Sequence, residues 1–259
     1  MLPSLFIAHG SPMIAIEESG YGTFLDHLGE SLARPQAIVI FSAHWESRVQ
    51  QVSAVESYST IYDFGGFPDE LYRVTYPAHG NPALAARIHE LLKAAEVPVE
   101  LDHGRGLDHG AWTLLNRLYP AADIPVVAMS VNARLTPEEQ FRIGQTLSPL
   151  RSEGVLIIGS GVTVHNFQLL QARHNAEVQS AIKQFEAWLE SKLHAWDLAA
   201  LFHYETEAPY ARLAVPANGQ EHFAPLFYAM GAGSRPESVE TLHQGWMWDV
   251  MTNSVYAFR

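Results

Sequence analysis

A chain of 259 residues is long enough for one large α/β domain or two small ones with a sizeable core. With 47% hydrophobic and 17% charged residues, its composition is globular rather than disordered. Sixteen basic against 28 acidic residues give a net charge of −12, which argues against non-specific binding to nucleic acid or anionic lipid, and the absence of cysteine excludes disulfides and thiolate zinc sites.

In chain order, SLFIAHG reads as a first strand, followed by a helical pattern from about Thr23 to Leu32. AIVIFSAH is a second, nearly continuous apolar strand, and VQQVSAVES a third. After the Gly/Pro/aromatic loop YDFGGFPDELYRVTYPAHGNP comes a helix from about Pro82 to Ala95, with proline suited to its first turn. VPVELD is a strand, GAWTLLNRLYP a short helix and IPVVAMSV another strand. TPEEQFRIGQTLSPL starts with a capping box formed by Thr136 and Glu139. GVLIIGSG is a further buried strand, and Ala176 to Leu201 reads as one or two amphipathic helices with Ile182, Phe185, Leu189 and Leu193 on one face. EHFAPLFYAMGAG is a helical piece stopped by glycines, and the tail GWMWDVMTNSVYAFR reads as an edge strand or hairpin. No repeat or linker interrupts the pattern. The expectation is one α/β domain spanning residues 1–259, with a mainly parallel central sheet flanked by helices.

The N-terminus MLPSLFIAHGSP lacks the basic region and long apolar core of a signal peptide, and no apolar run reaches the roughly 18 residues of a membrane span. A cytoplasmic protein with neither a membrane nor a nucleic-acid partner is expected, as a monomer or small homo-oligomer.

Thirteen histidines are present, and several follow strands. His9 ends LFIA, His44 ends IVIFSA, His165 lies four residues beyond VLIIGSG, and His103 and His109 follow VPVEL. In open α/β sheets the carboxyl rim of the strands is where ligands bind, and imidazole suits Fe, Zn, Cu or Ni. Taken singly, each of these histidines also reads as a structural residue; the shared placement points to a metal. His79 reads as a loop residue, and His27, His89, His174, His194, His203 and His243 as structural or surface groups. GSG at residues 159–161 lacks the spacing of a phosphate loop, and Ser160 lacks the final glycine of a nucleophile elbow.

The segments AHGSP, SAHWE, YRVTYPA, GLDHGAW, LIIGSGVTVHN and EHFAPLFYAMGA, in this order, resemble the class III extradiol ring-cleavage dioxygenases. The likeness is to the DOPA 4,5-dioxygenase-like branch in particular, and more distantly to the protocatechuate 4,5-dioxygenase β-subunit. It runs from His9 to about Ala232 and implies an enzyme that opens a catechol ring with O₂ at a mononuclear non-haem Fe(II). By motif, His9, His44 and His222 are implied as metal ligands. The distant branch uses a glutamate as third ligand and Glu221 is adjacent; the register of FAPLF favours His222. His165 matches a catalytic histidine that handles catechol protons, and it could also close the coordination sphere, particularly if Zn(II) replaces iron. His109 matches a catalytic histidine lining the substrate and dioxygen pocket, with Asp108 expected to orient it. The aromatic loop with Arg73 reads equally as a wall for the ring or as a packed surface loop. The rival function is a zinc hydrolase with Glu46 or Glu221 as general base, although no H-E-x-x-H is present.

Overall fold

Four apolar runs become adjacent parallel strands in the computed structural model, which describes residues 1–234 and 238–259. They are β1 (Ser4–Ala8), β2 (Ala37–Glu46), β5 (Val126–Val131) and β6 (Val155–Gly161). β3 (Gln50–Ser53), β4 (Val99–Asp102), β7 (Val239–His243) and β10 (Val255–Phe258) extend them to an eight-stranded sheet of order β4-β3-β5-β2-β6-β1-β10-β7. A two-stranded hairpin, β8 (Trp246–Met247) and β9 (Met251–Thr252), stands apart.

Alternation along β2 explains why helices cover both faces. Ile38 and Ile40 pack with Leu25, Leu28 and Leu115 of α1 (Gly20–Ser31) and α3 (His109–Leu118). Val39 and Phe41 turn to the other face, against α2 (Pro82–Ala94), α4 (Pro137–Leu147) and α9 (Gln220–Gly233). α5 (Ala176–His194), with the short α6 (Leu198–Phe202), α7 (Tyr204–Glu207) and α8 (Ala211–Ala214), closes the β1–β10 end of the sheet. The expected face of α5 is buried, and the Thr136–Glu139 capping box is formed in full. The architecture is a single α/β domain with a mainly parallel central sheet.

Two readings of the sequence change. The tail, read as an edge strand or hairpin, does contain the β8–β9 hairpin, but its last strand is not an edge: β10 is interior, antiparallel to both β1 and β7, and β7 forms the edge. β4 is parallel to β3, and β3 is antiparallel to β5, so the carboxyl end of β4 points away from the rim that carries His9 and His44. His103 stays exposed beyond it, whereas the chain doubles back and presents His109 as the first residue of α3. Strand propensity carries no information about direction, which tertiary pairing decides.

One helix approaches the sheet unusually closely. A Cβ on Gly159 or Gly161 would collide with the carbonyl oxygen of Pro225 or His222, so these glycines of β6 let the first turns of α9 lie on the strand. The Val162 amide donates to the His222 carbonyl at 2.8 Å and fixes that approach.

Candidate metal centre

Different elements deliver the histidines. His9 follows β1 directly, His44 lies near the end of β2, His222 sits in the first turn of α9, and His165 occupies the loop after β6. One ring nitrogen each from His9, His44 and His222 lie within 4.8 Å of one another. Nε2 of His9 and Nε2 of His44 are 3.2 Å apart, and Nε2 of His222 is buried without a hydrogen-bond partner among the described residues. Two nitrogens bound to one ion at about 2.1 Å, with angles of 90–110°, stand about 3.0–3.4 Å apart. The spacing and the unpartnered nitrogen both suit a shared cation, so the residues present fit a mononuclear non-haem metal.

Protonation favours the same use. Burial, followed by the nearby histidines, holds His9 well below its ordinary pKa and brings His44 down to about 2. Both are neutral at pH 7, the state a ligand must have.

Behind each of the three rings stands an acceptor. Ser160 Oγ donates its proton to the Gly110 carbonyl at 2.5 Å, so it accepts from His9 Nδ1 at 3.2 Å. Glu221 Oε1 lies 3.0 Å from Nδ1 of His222. Burial would raise the Glu221 pKa, yet the hydrogen bond and charge of His222 lower it, so its carboxylate is held behind the ring. Asp63 Oδ2 faces His44 Nδ1 at 3.4 Å, while its Oδ1 accepts from both the amide and Nδ1 of His109 at 2.9 Å. Burial opposes ionisation of Asp63, and the His109 interactions outweigh it, lowering its pKa to about 2.

His165 lies outside the three-nitrogen group. Its ring stacks on His222 with centroids 3.6 Å apart and planes 11° apart. Burial, then the His222 and His109 charges, lower its pKa to about 3. His109 approaches His44 to 3.9 Å between centroids. Together the five histidines line a cavity of about 270 Å³ whose other walls include Phe64, Phe67, Phe167, Met247 and Trp248. Its size and aromatic walls suit a small planar ring.

Part of the expected wall is therefore present, but Arg73 does not line the cavity, and Tyr72 packs behind Phe64. Asp108 does not hold the His109 ring. As N-cap of α3 it turns back to accept from the Ala111 amide, and it also binds Ser42 and Arg105. Asp63 takes the place expected for it. The sequence reading passed over Asp63 and assigned Ser160 no role behind a ring; the one signal for Asp63 was a lone carboxylate within YDFGGF.

A family model described as the catalytic LigB subunit of aromatic ring-opening dioxygenase matches residues 3–259. A protein of Beta vulgaris named 4,5-DOPA dioxygenase extradiol is 41% identical over 259 residues, covering 98% of this chain and 96% of its own. A protein of the same name from Escherichia coli (strain K12) is 39% identical, covering 92% and 88%. The crystal structure of an uncharacterized protein from Escherichia coli K12 aligns with a TM-score of 0.81 and 33% identity over 99% of both chains.

Proposed function

The chain belongs to the family of catalytic LigB subunits of aromatic ring-opening dioxygenases, and from that premise we propose that residues 1–259 act as one catalytic domain, an extradiol dioxygenase that opens a DOPA-like catechol with O₂ at a single ferrous ion. The observation that carries the reading is the convergence of three histidine nitrogens on a cavity sized for an aromatic ring. His9, His44 and His222 would hold the metal. When bound, ferrous iron supplies the electron exchange between catechol and dioxygen, which redox-inert zinc does not.

The remaining steps belong to side chains. His165, kept neutral by burial, takes a catechol hydroxyl proton on an imidazole nitrogen and returns it during ring opening. His109 keeps its proton on Nδ1 and donates it in a hydrogen bond to Asp63, leaving Nε2 as the atom that meets substrate or dioxygen. Phe64 and Phe67 confine the ring and exclude water. The hydrolase alternative is not favoured: Glu46 is exposed and Glu221 is held behind His222, so neither is placed as a general base.

No helix among the described residues is long and apolar enough to cross a membrane. Ferrous iron suits the reducing cytoplasm, where we place the protein.

The test is anaerobic loading with Fe(II) or Zn(II), then oxygen uptake and visible absorbance over a catechol panel. Iron-loaded protein should consume O₂ and zinc-loaded protein should not, even though nitrogen ligands favour zinc over ferrous iron in affinity. Equal turnover with zinc rejects the oxygenase reading.

A further inference from the structure

We propose that Asp63 is a positioning residue that fixes the tautomers of two site histidines at once, turning a bare Nε2 of His44 toward His9 and a bare Nε2 of His109 toward the substrate cavity. An ionised carboxylate can only accept hydrogen bonds. At 2.9 Å from Oδ1, the His109 Nδ1 must carry its ring proton, and the His109 amide donates to the same oxygen. Oδ2 faces His44 Nδ1 at 3.4 Å, longer than a hydrogen bond, and acts there through its charge, which favours a proton on that nitrogen. With protons on both Nδ1 atoms, both Nε2 atoms present lone pairs.

The two other rings of the metal-sized group each have a dedicated acceptor, Ser160 or Glu221. Asp63 differs because it serves rings on separate elements, β2 and α3, from a loop that belongs to neither. Metal affinity and the bare nitrogen that His109 offers the substrate cavity therefore depend on one carboxylate.

Asparagine is the discriminating replacement. It has nearly the same shape but presents one oxygen and one NH₂ group, so one of the two rings must meet a donor. The oxygen stays at His109, where two N–H groups already converge at 2.9 Å, and the NH₂ turns to His44. The charge that favoured a proton on His44 Nδ1 is then replaced by a facing N–H donor, which shifts the His44 proton to Nε2, where it blocks the metal. A purely structural role predicts the reverse, because asparagine still caps the His109 amide and should behave like the parent protein.

The experiment measures zinc affinity by chelator competition for the parent, Asp63→Asn and Asp63→Ala, with ¹⁵N spectra of the histidine rings. Asp63→Asn should bind zinc about 10–100-fold more weakly, the usual cost of losing a partner behind a ligating imidazole. Its metal-free spectrum should show His44 protonated at Nε2. Zinc affinity in Asp63→Asn within twofold of the parent overturns the proposal. So does a parent spectrum with His44 or His109 protonated at Nε2, an outcome readable even if the variants fail to fold. Only the part played by His109 in turnover rests on the dioxygenase reading, and failure of that reading shows separately, as absent oxygen uptake by the iron-loaded parent.

Discussion

An imidazole can offer a metal or a substrate only the nitrogen that its surroundings leave bare, so the chemistry of this site is written in what lies behind each ring. This gives His165 and His44 different mutational signatures. His165→Ala should lower kcat by about 10²–10⁴-fold, the scale of a lost acid–base group, with metal content unchanged. His44→Ala should lose metal and activity together, and His109→Ala should weaken catechol or oxygen handling with the metal in place. Paired metal analysis and oxygen-uptake kinetics decide between these. If His165→Ala empties the site, His165 is a ligand and the proton role passes to His109. Near-parental activity in His165→Ala removes it from both roles. The histidines could be read from the sequence because each follows a strand or sits in a quoted motif. Their partners could not: Asp63 is 46 residues from His109, and Ser160 is 151 residues from His9. Such contacts exist only once the sheet order is known.

At the level of elements, one buried acid on α5 stands out. Glu186 accepts from Ser254 through one oxygen, while Oε1 has no partner among the described residues. Burial, only partly opposed by the nearby hydroxyls of Thr163 and Ser254, raises its pKa from 4.5 to about 7. Between those values the folded protein holds a proton that the unfolded chain releases, so stability falls as pH rises through this window. The full effect is roughly 3 kcal/mol above pH 7. Glu186→Gln should therefore melt higher than the parent at pH 8, with the gap shrinking toward pH 5, both in the same metal state. A gap independent of pH would assign the effect to packing. The amphipathic face of α5 was plain from Ile182, Phe185, Leu189 and Leu193, all of which are buried. The burial of Glu186 beside them was not, since it depends on the segment around Ser254 folding against the helix. In the same way GVLIIGSG announced a strand, but the need for Gly159 and Gly161 emerges only with α9 lying across them.

For the whole molecule, the acidic balance extends to the mouth of the site. A second cavity of about 580 Å³ shares Ser11, Phe67, Met247 and Trp248 with the histidine pocket. No Lys or Arg lines either cavity among the described residues, and the carboxylates present are Asp63 and Glu17. A catechol with an ammonium chain should exceed one with a carboxylate chain of equal length by roughly tenfold in kcat/KM, about 1.4 kcal/mol. The difference should narrow as salt is added. Equal or better turnover of the acid would mean that a cation outside these walls reads the chain. The placement of β1 between β6 and β10 also bears on how the protein is made. β1 is synthesised long before both strands that bond to it and the helix that carries His222. Until then Ser4–Ala8 is an apolar strand with two open edges, a surface for chaperones or for aggregation. A nascent chain halted before Val255 keeps one of those edges open, and the three histidines proposed to hold the ion can meet only after α9 has been made.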